Sequence, residues 1–555
     1  MRLNRSKKLA IVGRHGCWVL LAAACAGCGG GPEPMLFGTR GYVLISIDTL
    51  RADHLGCYGY PRDTSPFLDS LAARGILFEN AVVQLPGTLP SHMSIMTGLY
   101  PPEHGVYPPD GVLSPEIETL PELFQRHGFR TGGFTENGYV AGRYGFARGF
   151  DEFDDRIQGE SDDVERTVAR GLAFLRQLRA GERFFLFLHT YAVHDPYQPP
   201  EPYATQFDAV RPSDAFAPNG PNLAAFNRGR REISPQALAY YQAAYDASIR
   251  YVDDVLEGFF ADLRDLGLAD DLTVIVTSDH GEEFLEHGSM AHEQVYRETM
   301  RVPLIFLHPQ VEPRRVPSLV ESIDIAPTLA ALAGLEPRPD SFSGRSFLDL
   351  VLGHNRPGVS EAYGESHDRK VRTVFQDSDA GLFQYLETEF SAGERATWVT
   401  RSLELDAVES PLRLEALSYR VPRRLEIEVG GRPTDRVELD PKQWSTFEIE
   451  MPPGKPKTRI KLSTEGCIAP SEVGESDDPR CLSFRVRGAP LRRIELFDLH
   501  RDPHGQADIS ALPEAPIREL GRRLRSYRLE PVAPAVSLEL DVELESRLRA
   551  LGYLQ

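Results

Sequence analysis

The run Tyr42–Asp48, YVLISID, decides how the rest of the chain is read: it is apolar almost throughout and ends in an acid. A strand covered on both faces reads as a continuous apolar run, and an acid at its end is delivered to the carboxyl edge of the sheet. Outward from this run, helical periodicity and buried-strand runs alternate. LPELFQRHG (120–128) precedes FRTGGF (129–134), and VERTVARGLAFLRQLRAG (164–181) precedes RFFLFLHTY (183–191). The long amphipathic segment 237–267 precedes DLTVIVTSDHG (271–281). Such alternation predicts an α/β fold with a large central sheet and helices on both faces, whose chemistry gathers beyond the carboxyl ends of the strands. Asp48, His189, Asp279 and His280 all fall at such ends.

The chain has 555 residues, 41% hydrophobic and 26% charged, with a formal net charge of −20. Its length admits roughly 3.7 domain-sized units at about 150 residues each, and its composition is that of a folded protein. No basic stripe interrupts the acidity, which argues against nucleic acid as a partner. An anionic substrate must then be captured by a local device, for which a bound metal is the usual solution.

Residues 1–28 combine Arg2, Arg5, Lys7, Lys8 and Arg14 with a short apolar run and read as a lipoprotein-type signal peptide. Small residues lead into Cys25 in LAAAC, with Cys28 in CAGC as the second candidate for lipidation, and a Gly-rich spacer follows over 29–40. This predicts an extracytoplasmic lipoprotein of a bacterial envelope, anchored through lipid; a soluble secreted or periplasmic protein is the alternative. Only Cys57, Cys467 and Cys481 lie in the body: Cys467 and Cys481 share a segment and can pair in an oxidising compartment, while Cys57 reads as a small hydrophobe.

From about residue 388 the pattern changes. RRLEIEVGG, STFEIEMPPGKPKTRIKLST and CLSFRVRG alternate apolar and polar residues between Gly and Pro, as antiparallel strands do. The chain therefore divides into a catalytic α/β domain at 41–387, an all-β insertion at 388–490, and a return to the catalytic fold with a terminal helix at 491–555. The insertion suits either carbohydrate binding or plain packing.

In TLPSHMSIMTG (88–98), Pro90 suits a first helical position and sets Thr88 just ahead of a helix N-terminus, where N–H groups and the dipole favour an anion. Coordination to a divalent cation lowers the pKa of an oxygen by many units, so a metal would make the Thr88 hydroxyl a nucleophile. Asp48, Asp279 and His280 supply the ligands such a cation needs, with Thr88 as a further one.

The segments ISIDTLRADHLGCYG (45–59), TLPSHMSIMTGLYPPEHG (88–105), FFLFLHTYAVHDPYQPP (184–200), VTSDHGEEFLEHG (276–288), RVPLIF (301–306) and DIAPTLAALAGL (324–335) together resemble the sulfatase family of the alkaline phosphatase superfamily. ELFDLHRDPHGQADIS (495–510) and LESRLRALGYL (544–554) extend the resemblance to the end of the chain. It implies a sulfatase-like sandwich fold and metal-dependent attack on a sulfate or phosphate ester. The departures are specific. Thr88 stands where family sulfatases carry the Cys or Ser converted to formylglycine, so formylglycine is not expected. Thr49 replaces a second metal Asp, His92 replaces the signature Arg, and Phe134–Gly138, FTENG, replaces the FGKWH motif. A Thr nucleophile resembles the phosphodiesterases and the phosphoethanolamine or phosphoglycerol transferases of the superfamily. Asp279–His280 suits Zn²⁺ or Mn²⁺, with Ca²⁺ the alternative. His292, with His189 or His194, is implied to bind the ester oxygens or protonate the leaving group, and His104 and His287 recur in the family's pattern. The expected function is an ester hydrolase acting on a small anionic ester or a sulfated or phosphorylated glycan or lipid. A transferase and a non-catalytic glycan-binding lipoprotein are the alternatives.

Overall fold

The computed structural model describes residues 38–537 except 157–163, 209, 228–229, 355–359, 379–380, 391–396, 400–401, 408–411, 419–421, 444, 451–457, 465–483, 488–490 and 511–515. Cys25, Cys28, Cys467 and Cys481, and with them the lipidation and disulfide expectations, lie outside the described residues.

The run around Asp48 forms strand β1 (Gly41–Ile47), and all seven of its residues are buried. Seven further strands join it: β2 (Ile76–Val82), β3 (Arg130–Phe134), β4 (Glu152–Asp154), β5 (Phe184–Thr190), β6 (Leu272–Thr277), β7 (Arg301–Leu307) and β8 (Arg314–Glu321). Their order across the sheet is β8-β2-β7-β6-β1-β5-β3-β4. β1 is parallel to β5 and β6, so the carboxyl ends of these three central strands open on the same edge. β7 runs antiparallel to both β6 and β2, which makes the sheet mixed.

Successive side chains of a strand point to opposite faces. Tyr42 and Leu44 accordingly enter one apolar core and Val43, Ile45 and Ile47 the other. Helices α1 (Pro66–Arg74), α4 (Val164–Arg176) and α5 (Pro235–Asp265) close the second core through residues such as Leu68, Leu172 and Leu256. Helices α2 (Thr88–Thr97), α3 (Leu120–Arg126) and α6 (Ile325–Ala333) close the first through Met93, Leu123 and Leu329. Their starts follow from sequence: Ser234 caps α5 ahead of Pro235, and Thr119 with Glu122 forms a capping box on α3.

The C-terminal part is antiparallel, as its alternating pattern predicts. Strands β9 (Ser360–Glu365), β10 (Val371–Ser378), β11 (Gly381–Phe390) and β12 (Leu491–Asp498) form one sheet in that order. Between β11 and β12 the chain builds two further four-stranded antiparallel sheets, which share a small core containing Leu414, Ile427, Ile460 and Leu462. The antiparallel architecture thus begins at Ser360, ahead of the change of pattern near residue 388. The sheet β9–β12 is covered on both faces: Ala362, Phe375, Leu386 and Phe497 pack into the α/β core, and Val374, Tyr385 and Leu496 pack with Leu520 and Leu524. A doubly covered sheet loses the polar alternation by which an antiparallel strand is recognised.

Candidate active site

β1 leads directly into Asp48, and β6 leads directly into Ser278, Asp279 and His280. The ligand atoms of Asp48, Asp279 and His280 lie within 4.8 Å of one another, and all three side chains are buried. The chain turns sharply after Asp48. Thr49 adopts φ 55°, a left-handed conformation that is uncommon for a β-branched residue. Tyr245 of α5 pins this turn, its hydroxyl donating to Thr49 O at 2.7 Å and accepting from Arg51 N at 2.9 Å. Leu50 N donates to Ser278 Oγ at 2.9 Å, and that hydroxyl donates to His280 O at 2.7 Å, which ties the two strand ends together. The Thr49 hydroxyl turns back to Asp48 O at 2.8 Å.

Helix α2 starts at Thr88, two residues before Pro90, so Thr88 is the first helical residue instead of lying ahead of the helix. Its Oγ1 is 3.4 Å from His280 Nε2. Ser91 Oγ donates to Asp279 O at 2.6 Å and fixes the helix start against the end of β6. His92, one turn along, is fully buried. Its Nδ1 lies 2.9 Å from Thr88 O and 3.3 Å from Asp279 Oδ2, and its Nε2 lies 2.9 Å from Ser46 Oγ. The histidine at the signature Arg position therefore orients a carboxylate from inside the core.

Among the described residues, both oxygens of Asp48 and Oδ2 of Asp279 are buried without a hydrogen-bond partner. Burial, and then the charge of Asp279, hold the Asp48 carboxyl well above its usual range. Burial pushes Asp279 the same way, but His280, His92 and His189 outweigh it and hold that carboxyl below the usual range. Burial draws His280 down to about 3, so its imidazole is neutral at physiological pH and able to ligate. Three unsatisfied buried carboxylate oxygens beside a neutral imidazole fit a divalent cation, which would supply the charge they lack.

His189 is buried in β5, and its Nε2 is 3.7 Å from Asp48 Oδ2. It sits beside the carboxylates and is absent from the lining of the adjoining cavity. That cavity, ≈ 490 Å³, is lined by Thr88, His194, His292 and His367 among others, so His194 and His292 share it with Thr88. His194 Nδ1 is 2.8 Å from Asp195 Oδ1. Burial lowers its pKa, but Asp195, Asp48 and Glu282 outweigh this and raise it well above the ordinary value, giving an imidazolium at neutral pH. His292 Nδ1 is 3.4 Å from Oε1 of the buried Glu282.

His104 and His287 stand apart. His104 is buried, with Nε2 3.2 Å from Ser94 Oγ and Nδ1 accepting from Val106 N. His287 stacks on Tyr296 and faces Glu298 at 3.3 Å. Conversely, His367 is a member of the cavity lining that sequence reasoning missed. It comes from the β9–β10 connection and donates from Nε2 to Pro86 O at 2.9 Å. A Cβ at Gly87 would overlap Cε1 of His367, so glycine ahead of Thr88 makes room for this ring. In the sequence His367 sits in an unpatterned HDRK turn with no signal of its own. Cys57 is partly buried, and burial and Asp69 raise its thiol pKa, as suits an inert residue.

The family model described as Sulfatase matches residues 40–335, just over half the chain. The chain belongs to the sulfatase family. As a member it is an ester hydrolase. An arylsulfatase of Clostridium perfringens is 26% identical over 391 residues, covering 58% of this chain and 80% of that one. Among solved structures, a protein in complex with its substrate D-glucosamine-2-N,6-O-disulfate superposes with TM-score 0.58 at 15% identity, covering 88% of this chain and 97% of its own. A phosphonate monoester hydrolase of Agrobacterium radiobacter gives TM-score 0.51 at 19% identity, covering 62% and 87%. The family is metal-dependent, and among the described residues of this member the Asp48, Asp279 and His280 cluster fits a metal.

Proposed function

We propose that this sulfatase-family protein cleaves a sulfate or phosphate ester with Thr88 as nucleophile at a site held by Asp48, Asp279, His280 and Thr88. The observation that carries the reading is the Thr88 hydroxyl, 3.4 Å from His280 Nε2, at the start of a helix that opens on the lined cavity. A divalent cation would lower the pKa of that hydroxyl and offset charge on the ester oxygens. The two carboxylates and one imidazole favour Zn²⁺ or Mn²⁺ over Ca²⁺, which takes more oxygen ligands.

Thr88 Oγ, ionised with its proton lost to bulk water, forms a bond to sulfur or phosphorus as the bond to the ester oxygen breaks. His194, charged through Asp195, gives its proton to the departing alkoxide, and His292 binds the nonbridging oxygens. The N-terminal end of the helix that starts at Thr88 would add its dipole to the stabilisation of the same charge. Water then releases the group from Thr88, with His194 taking back a proton. An alcohol acceptor in place of water makes the same chemistry a transfer, of phosphoethanolamine or phosphoglycerol for example. The solved neighbour with a sulfated glucosamine supports a sulfated glycan ester as substrate, and the neighbour that is a phosphonate monoester hydrolase supports a phosphorus ester. The leader adds an extracytoplasmic, lipid-anchored location through Cys25 or Cys28. Among the described residues no helix is long and apolar enough to cross a membrane.

The test is turnover of aryl sulfate, aryl phosphate and aryl phosphodiester by metal-reconstituted protein, with mass spectrometry of Thr88. Thr88→Ala should lose turnover by at least about 10³-fold, and Thr88→Ser should keep part of it. Undiminished activity in Thr88→Ala refutes the nucleophile, and absence of metal uptake refutes the metal site. Release of protein from membranes in a Cys25→Ala, Cys28→Ala variant tests the anchor.

A further inference from the structure

A second cavity, ≈ 710 Å³, shares no lining residue with the first. It lies behind the turn that follows Asp48 and is lined by Arg51, Arg62, Arg297 and Arg301 together with Asp53, Glu286 and Glu298. The carboxylates are already engaged. Asp53 accepts from Nε and Nη2 of Arg51 at 2.9 and 2.7 Å, Glu286 accepts from Arg51 Nη1, and Glu298 faces His287. Arg62 is held by Asp246 at 2.6 Å.

That leaves Arg297 and Arg301, which have no ion pair among the described residues. Arg297 donates from Nη1 to Leu499 O at 3.2 Å and to Pro503 O at 2.8 Å, with Asn80 Oδ1 at 3.5 Å from Nη2. Arg301 donates from Nε to Glu79 O at 2.9 Å and stacks over Tyr58. Burial and the charge of Arg301 lower Arg297 to about 10, although Asp53, Glu298 and Asp502 act against this. Two guanidiniums that repel each other in a partly desolvated cavity, held among the described residues by carbonyls, an amide and a ring with carboxylates only at longer range, would be stabilised by an anion that bridges them. The planar guanidinium fork matches a tetrahedral oxyanion. The location is unusual for so acidic a chain, and His504 at the exposed rim offers a further donor.

We infer that the cavity bounded by Arg297, Arg301 and His504 binds a sulfate or phosphate oxyanion at a site separate from the Thr88 centre. The oxyanion is either a free inorganic ion or one carried on a glycan. Calorimetric titration of the full chain separates these sources and also separates this site from the catalytic one. In Asp279→Asn protein with chelator, which disables the Thr88 centre, inorganic sulfate or phosphate should still bind at one saturable site. Arg297→Gln and Arg301→Gln should each weaken that binding by about tenfold or more, the loss expected for a charge-assisted partner, and Arg301→Lys should keep more than Arg301→Gln. If either Gln variant fails to fold, His504→Ala at the rim carries the comparison. Binding by inorganic sulfate identifies a free-ion site; Arg301-dependent binding of a sulfated oligosaccharide alone identifies a glycan-borne anion. Binding that vanishes in Asp279→Asn yet survives in the arginine variants overturns the inference. So does absence of binding by every probe, a result that leaves turnover at Thr88 untouched.

Discussion

Asp48→Asn should change the stability of the protein with opposite sign in the absence and presence of metal. The ligand atoms of Asp48 and Asp279 lie within 4.8 Å of each other, and the unpaired carboxylate oxygens are fully buried. At an effective dielectric constant of about 20, two unit charges 4.8 Å apart repel by about 3.5 kcal/mol. Metal-free protein must therefore bear the repulsion or hold Asp48 protonated, and an amide of the same shape avoids both. In chelator at neutral pH, Asp48→Asn should raise the melting temperature by about 1–5 °C, corresponding to roughly 1–3 kcal/mol. With metal at a hundredfold excess over its Kd, wild-type protein gains about 2.7 kcal/mol. The variant, having lost one ligand, should gain little and melt below wild type. Calorimetry of both proteins in chelator and in Zn²⁺ or Mn²⁺ gives the four numbers needed. Equal destabilisation of Asp48→Asn in both conditions would mean that the carboxylates serve the fold alone, and the metal argument would fail.

Three further outcomes are expected. Gly87→Ala should drive the His367 ring off Pro86 O, since its Cβ would overlap Cε1 of that ring, and so should mimic His367→Ala. Each change should lower kcat/KM by roughly fivefold, about 1 kcal/mol, and the double variant should cost no more than either single; strict additivity would show that the two residues do not interact. Buried Glu321, which accepts from Tyr100 OH at 2.9 Å and Tyr363 N at 3.0 Å, is raised to about 8 by burial and by Asp324. Its folded pKa lies above its unfolded one, so its contribution is intact below about pH 4.5 and is lost as pH rises toward 8, at up to about 1.4 kcal/mol per unit. Glu321→Gln should flatten that part of a denaturation-against-pH profile, and an unchanged slope would rule Glu321 out as its source. Asp195→Asn should remove the charge that holds His194 protonated, lowering turnover of esters with poor leaving groups more than of activated aryl esters; equal loss on both would contradict His194 as proton donor.

The α/β core was legible because its strands carry their burial in their composition. YVLISI, FFLFLHT and LTVIVT are buried along their whole length, and the helices between them show clear periods and caps. The sheet β9–β12 was not legible as antiparallel, for the same physical reason. Packed on the α/β body by Phe375 and Leu386 and under Leu520 and Leu524 on its other side, it shows no alternation. Between β11 and β12, the strand Arg423–Val429 alternates buried and less buried residues throughout.

At the site, the carboxylates were easier to read than the imidazoles. An acid at the end of a buried strand has few uses, and Asp48 and Asp279 meet as their strand ends predict because β1 and β6 are adjacent parallel neighbours. A histidine has two nitrogens, and its role depends on what each one meets. His92, His104, His189, His194 and His287 are all buried, yet His104 is satisfied by a serine and a backbone amide, His287 stacks on Tyr296, and His92 braces Asp279. Among the described histidines, His194, His292 and His367 are those that lie along the cavity beside Thr88. The partners that separate these cases, Asp195, Glu282 and Pro86, come from one to 281 residues away. Local spacing alone does not show why His194, in YAVHD, reaches the cavity while His104, in PPEHG just past the signature helix, does not. The distinction lies in which nitrogen faces a carboxylate and which faces the cavity, and the fold alone decides that.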